Sequence, residues 1–463
     1  MSSTEKPLSA SGNECMVQPT HTENEKCTCA MCRLNVPFEM PDDIVDECLK
    51  GNIVLFAGAG VSTEDRMVLP QTFYEVICEA LKIDSRTAGA FPDVMTRFAA
   101  QANGRRLLLR MIRDRLTYIS AFGENQFTAT RFHRELSTLH PLEHIITTNW
   151  DEYFERECGA ASFITAEDFA FWDIPGRKVF KLHGSASNYG SVVATRADYE
   201  SCYEKLSTGL LGSNLKMLLA TKTVVYVGFS FLDDDFVRLH ALLSKEMGGL
   251  RPQSYIVTLD QASDDRFRDH QLIPLYTDGT FFLKTLKARL VSERAMLPDT
   301  VYDDIEATIE RRDKAHHDTL SINPHRYPDV IYSLFYQDGL RHALGRILTL
   351  RSTGYYSHVC NPRDVVTSYE KLRKTALREG RFGDAAYIDG YMNGHVFFLA
   401  PPEGRKKLPL FFLHGPRDTI ASLTALKKHL RIGNELHRAA SRSAARQVKK
   451  LPAGVVMHHK PWL

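Results

Sequence analysis

Five short apolar runs constrain this chain more than anything else in it: residues 52–56, 144–147, 178–182, 223–227 and 255–257. None alternates apolar with polar, as a strand with one wet face would. Continuous runs of this length belong to strands buried on both sides, the condition of a parallel sheet covered by helices. The stretches between them include 71–82, 104–120 and 233–247, amphipathic and long enough to serve as crossover helices. The alternation predicts a doubly wound, Rossmann-like parallel α/β fold over residues 37–293.

A chain of 463 residues exceeds what one core usually covers, so further parts are expected. Past residue 298 the strand signal fades, and 303–314, 364–380 and 384–398 read as helices. Gly380 closes one helix and Asp384 opens the next, an αα-hairpin joint. The expected organisation is a flexible polar leader with a Cys cluster at 1–36, an α/β domain at 37–293, and a helical regulatory or interaction domain with a basic tail at 294–463. With 43% hydrophobic and 25% charged residues, fibrous and wholly disordered classes are excluded. There is no apolar run of about 20 residues and no signal-peptide block. Nine cysteines, six of them scattered, suit a reducing compartment, so a cytoplasmic protein is expected.

Four of the five runs end in residues that carry chemistry. The first leads into Gly58, Ala59, Gly60, Val61 and Ser62. Glycines at 58 and 60 lack the Cβ that would hold a diphosphate away, and N–H groups at a loop–helix junction can donate to phosphate. Thr63 stands where a third fingerprint glycine would be, so a plain tight turn is the competing reading. The second run ends in Thr148, Asn149, Trp150 and Asp151, where Asn149 or Asp151 could also simply cap a helix beginning near Glu152. The third presents His183 and Gly184. The fourth gives Gly228, Phe229 and Ser230 ahead of the acidic triplet Asp233, Asp234 and Asp235. Each pattern alone is common, but their order at successive strand ends is not.

In these residues the chain resembles the sirtuin superfamily, specifically the bacterial sirtuin-like NAD hydrolases of anti-phage defence systems, over residues 40–292. The resemblance implies that Gly58, Ala59, Gly60 and Ser62 hold the NAD diphosphate. It implies that Asn149 and His183 are catalytic, that Asp151 lies near the nicotinamide carboxamide, and that Gly228 and Ser230 bind the adenosine side. NAD enters as substrate. Two departures separate the chain from the deacetylase branch. The 44 residues from Gly184 to Val227 contain only Cys202, so a four-thiolate zinc module is impossible there. The first loop also lacks the Phe-Arg pair usual in deacetylases.

The expected reaction is hydrolysis of NAD to nicotinamide and ADP-ribose. Cleaving that bond needs no strong nucleophile, because the pyridinium leaves neutral while positive charge develops on the sugar. Asn149 would orient water or a ribose hydroxyl, and His183, ordinarily titrating near 6.5, would accept a proton. Two alternatives use the same site: a subunit that senses NAD or ADP-ribose without cleaving it, and ADP-ribosyl transfer to a macromolecule. The resemblance further implies restraint of the activity through homo-oligomerisation or a partner: a DNA-translocating ATPase, a short Argonaute or a phage-derived trigger.

Two weaker features complete the reading. Cys27, Cys29 and Cys32, with His21 or Cys15, could supply zinc ligands, but the spacing lacks paired C-x-x-C arms, so an incidentally Cys-rich leader is the favoured reading. From Gly404 onward there are 13 Lys and Arg against Asp418 and Glu435, which leaves the rest of the chain at −9. Helical spacing of Ile420, Leu423, Leu426 and Leu430 suggests a basic helix over 420–451. It would contact nucleic-acid phosphates or dock on the acidic remainder of the same protein. Phe411, Phe412 and Trp462 are too few and clustered for a base-stacking track.

Overall fold

The computed structural model describes residues 30–229, 252–357, 359–413, 420–430, 438–452 and 455–460. Ser230, the 233–247 stretch, Cys27, Cys29, His21, Cys15 and Trp462 lie outside these. The chain divides into two compact units, Met1–Glu293 and Arg294–Leu463. No described helix is long and apolar enough to cross a membrane.

The first unit is built on seven strands: β1 (Ile53–Ala57), β2 (His144–Thr147), β3 (Ala161–Phe163), β4 (Lys178–Lys181), β5 (Thr223–Val227), β6 (Ser254–Thr258) and β7 (Leu272–Tyr276). Their order across the sheet is β3-β4-β2-β1-β5-β6-β7, and every pairing is parallel. The doubly wound α/β expectation is borne out. All five residues of β1 and all five of β5 are buried, as their unbroken apolar sequences require. One face is a cluster of Phe56, Phe163, Phe180, Tyr226 and Leu215 among others. Helices Phe73–Ala80, Phe91–Ala99 and Gly104–Ala121 build a second cluster with Val192 and Ala194.

The chain leaves the central strand β1 toward β2, travels to the far edge at β3, returns through β4, and then crosses to β5, β6 and β7 on the other side. The winding therefore reverses at β1, and the crevice above the carboxyl ends of β2, β1 and β5 is the place where such sheets bind ligands. Register sharpens the point. Ala57 pairs with both Thr147 and Val227, and Thr147 pairs with Lys181, so four strands end on one row.

The second unit is helical among its described residues. Helices Asp299–Leu320, Val330–Thr349, Cys360–Arg378 and Phe382–Leu399 carry its core. Gly380, at φ +71°, closes the third helix as the sequence suggests. Glycines set the closest helix contact: a Cβ on Gly339 would meet the Tyr387 carbonyl oxygen at 2.0 Å, and one on Gly390 would meet the Tyr336 carbonyl oxygen at 1.9 Å. The tail departs from the single helix read over 420–451. Ile420 precedes a short helix, Leu423–His429, capped by Ser422, and a separate helix spans Arg438–Val448. Phe411 and Phe412 are buried in the unit's core, which explains why they form no exposed track.

Candidate active site

The four chemistry-bearing segments start at the shared row of strand ends, and hydrogen bonds knit each to its neighbour. Gly58 N–H donates to the Val227 carbonyl (2.8 Å), and Gly60 N–H to the Gly228 carbonyl (3.0 Å). Thr147 Oγ1 donates to the Ala57 carbonyl (2.8 Å) and accepts from Asn149 N–H (3.0 Å). Leu182 N–H donates to the Thr147 carbonyl, and Ala186 N–H to the Trp150 carbonyl (2.9 and 2.8 Å).

The glycines have a structural duty that sequence reasoning did not see. A Cβ on Gly58 would lie 2.5 Å from the Gly228 carbonyl oxygen, and one on Gly60 would lie 2.9 Å from the same atom. Gly228 itself has φ +70°, and its Cβ would meet Val61 N at 2.7 Å. The β1 and β5 loops thus touch backbone to backbone. Gly184, at φ +77°, similarly presses on Ser191, whose carbonyl oxygen would be 2.1 Å from an added Cβ.

Beneath the β1 loop lies a fully buried polar knot. Ser62 Oγ donates to Asp151 Oδ2 (2.9 Å) and accepts from Asn149 Nδ2 (3.2 Å), which also donates to the Gly58 carbonyl (3.2 Å). These acceptors fix the orientation of the Asn149 amide, because only its nitrogen can donate to both. The amide oxygen is left buried and has no hydrogen-bond partner among the described residues. Native interiors rarely tolerate an orphan acceptor of this kind, which marks a place for a donor from a ligand or water. Asp151 serves two ends: Oδ1 accepts from Tyr153 N–H, the first residue of helix Tyr153–Cys158, whose N-cap is Glu152, while Oδ2 holds Ser62. Burial raises the Asp151 carboxyl above its ordinary range, and nearby Lys181 works against that shift.

Lys181 and Tyr199 are the residues that sequence reasoning missed. Lys181, buried at the end of β4, donates to the Asp151 carbonyl and to Glu155 Oε1 (3.1 Å). Its one legible signal was a charge inside an apolar run. Tyr199 lies against the largely buried His183 ring, with centroids 4.9 Å apart. It comes from helix Arg196–Thr208, whose Thr195–Asp198 capping box fixes its start, and nothing local in the sequence pairs it with His183. Ala59 lies in the 3₁₀ turn Ala59–Val61, and Gly228 closes against it from β5.

The entry loop is tied down by two arginines. Arg115 donates to the Thr63 and Gln71 carbonyls (both 2.9 Å) and pairs with Glu64. Arg131 bridges Asp65 (3.2 Å) and Asp278 (2.7 Å), and Asp278 caps helix Gly279–Ser292. The loop from Thr63 to Gln71 is thus held both to helices beyond it and to the glycine turn, where Glu64 N–H donates to the Ala59 carbonyl (3.1 Å).

Fold and site together are those of a doubly wound parallel α/β domain with a buried polar cluster at the switch point of its sheet. Residues 143–276 match the SIR2-like domain family, so the first unit carries a SIR2-like domain. Among curated proteins, the chain is 30% identical over 197 residues to the NAD(+) hydrolase ThsA of Enterococcus faecium, covering 41% of this chain and 39% of that protein. It is 26% identical over 216 residues to the NAD(+) hydrolase ThsA of Cytobacillus dafuensis (44% and 41%). It is also 21% identical over 292 residues to Defense-associated sirtuin 2 of Bacillus subtilis (59% and 27%). The chain thus spans about two fifths of the length of the hydrolases it matches.

Proposed function

We propose that this chain hydrolyses NAD to nicotinamide and ADP-ribose. The observation that carries the reading is the orphan oxygen of Asn149, buried at the switch point of the sheet on an amide whose nitrogen donates to Ser62 and Gly58. An oriented acceptor there suits a water or ribose hydroxyl at a carbon that turns cationic as the pyridine leaves. His183, on the adjacent strand end, takes the proton. Asp151 retains lone pairs toward the carboxamide beyond the two it uses internally. The turn of Gly58, Ala59 and Gly60 would take the diphosphate, with Ser62, whose hydroxyl is engaged by Asp151 and Asn149, supporting it from beneath, and with Gly228 and Ser230 on the adenosine side. The relatives named as NAD(+) hydrolases, and the defence-associated sirtuin, support an effector role in anti-phage defence by NAD depletion. The helical unit would restrain the activity in the cytoplasm until oligomerisation or a partner releases it.

Nicotinamide and NAD are to be measured in bacterial cells expressing the full chain, beside Asn149→Ala and His183→Ala. The parent should deplete NAD and release nicotinamide at least about 100-fold faster than either variant. Equal release from parent and both variants, at matched soluble protein, removes the assignment.

A further inference from the structure

The second unit holds a cluster of ligating side chains that plays no part in the NAD reading: His316 on helix Asp299–Leu320, Asp338 on helix Val330–Thr349, and His458 on the segment 455–460. Their donor atoms lie within 4.8 Å of one another. The rings of His316 and His458 are near-parallel, with centroids 5.2 Å apart.

The protonation of His316 can be read from its neighbours. Gln337 Nε2 donates to Thr319 Oγ1 (3.1 Å) and to the Leu410 carbonyl (2.8 Å), which fixes the amide and turns its oxygen toward His316. That oxygen lies 3.0 Å from His316 Nδ1, so Nδ1 must carry the hydrogen. Nε2 is then a bare lone pair. It is buried, on a residue only 7% exposed, and has no hydrogen-bond partner among the described residues. An imidazole whose far nitrogen donates to a fixed carbonyl-type oxygen is the arrangement that metal-bound histidines adopt.

Asp338 is buried and oriented on both oxygens: Arg312 Nη2 donates to Oδ1 (2.9 Å) and His459 N–H to Oδ2 (2.9 Å). Arg312 shares its charge with Asp313 (2.9 Å), so the guanidinium acts as a donor to a ligand carboxylate and leaves the carboxylate lone pairs toward His458 available. His458 Nδ1 stands 3.3 Å from Asp338 Oδ1. Two ligands at bond lengths of about 2.0–2.1 Å on a tetrahedral ion are themselves roughly 3.3 Å apart.

We propose that His316 Nε2, Asp338 Oδ1 and a ring nitrogen of His458 bind one divalent ion of the zinc class, with solvent in the fourth position. Two imidazoles and a carboxylate are ligands that suit this ion. It would clamp segment 455–460 onto the helices of the second unit, a docking already begun by His459, which pairs with Asp384 (3.0 Å) and stacks on Tyr387. The proposal is independent of the NAD reading.

The test uses the full chain with Cys15, Cys27, Cys29 and Cys32 each changed to Ser, so that leader thiolates cannot compete. The protein is stripped with chelator and titrated with Co²⁺, then Zn²⁺. The expected result is one Co²⁺ per chain with the visible bands of a tetrahedral site, displaced by Zn²⁺. The unit's melting midpoint should rise with Zn²⁺ as mass action requires. His458→Ala, at a side chain 58% exposed and so outside the packed core, should weaken binding at least 100-fold and abolish the Zn²⁺-dependent rise. Gln337→Met should weaken it about 10–100-fold by freeing the tautomer. Failure of the parent to bind Co²⁺, or binding unchanged in His458→Ala, overturns the proposal.

Discussion

At Asp151 a single carboxylate organises the knot through its charge. As an anion it can only accept, so Ser62 must donate to it and thereby offer its own lone pair to Asn149. Protonated, Asp151 becomes a donor, and the direction of the chain is no longer enforced. Its carboxyl is raised above the ordinary range, chiefly by burial. An acid raised in this way takes its proton more readily when folded, so its ionised form costs stability at higher pH and the cost is relieved as pH falls. Activity should run the opposite way. Nicotinamide release is expected to fall on the acid side through a midpoint above that of an ordinary carboxylate, and a pH profile of kcat/KM reads it. Ser62→Ala, which breaks the relay without touching the strands, should lower the rate about 10–100-fold and weaken this acid limb.

Among the elements, the β1 and β5 turns and the helix pair of the second unit rest on the same device, a glycine where two backbones meet. Gly228→Ala puts a Cβ against Val61 N in a left-handed conformation, so it should cost about 2 kcal/mol or more in a denaturant melt and remove NAD cleavage with it. Gly390→Ala forces helix Phe382–Leu399 off Val330–Thr349. It should lower the second unit's stability by about 1–3 kcal/mol while leaving the first unit's melt unchanged. These contacts are non-local, which is why sequence reasoning could read the loop glycines only as a diphosphate cradle or a plain tight turn. Strands β1, β2, β4, β5 and β6 were legible because each centres on a short stretch of β-branched or aromatic residues without polar alternation. β3 is three residues long, too short for any period. β7 contains Pro274, which argues against a strand and is tolerated because β7 is an edge. Helix Val330–Thr349 escaped for a related reason: it is buried nearly all round, so it shows no amphipathic stripe, and Gly339 and Gly345 interrupt its propensity. In the site, Asn149, Asp151 and His183 stood at readable strand ends; Lys181 shared one of them but its buried partners did not show in the sequence, and Tyr199 arrives through tertiary packing.

At the scale of the whole molecule, each of the two compact units has hydrophobic clusters of its own among the described residues, so the two are expected to melt as separate transitions. Gly390→Ala identifies the second by calorimetry, and that transition carries two buried groups of opposite pH sign. Burial pushes the His395 imidazole down to about 4. Between 6.5 and that value the unfolded chain binds a proton that the folded one refuses, so His395 removes stability as pH falls. Asp389, paired with Arg373, is pushed up to about 6 by burial, so over nearly the same window the folded state gains the proton first and stability rises as pH falls. Each effect is worth about 3 kcal/mol by pH 4, and in the parent they largely offset. Neither ring nitrogen of His395 has a hydrogen-bond partner among the described residues, so His395→Phe removes the titration with no bond lost. The second transition of His395→Phe should therefore climb between pH 6.5 and 4 while that of Asp389→Asn drops. Parallel pH slopes in parent and both variants would show that neither group is held where its burial places it.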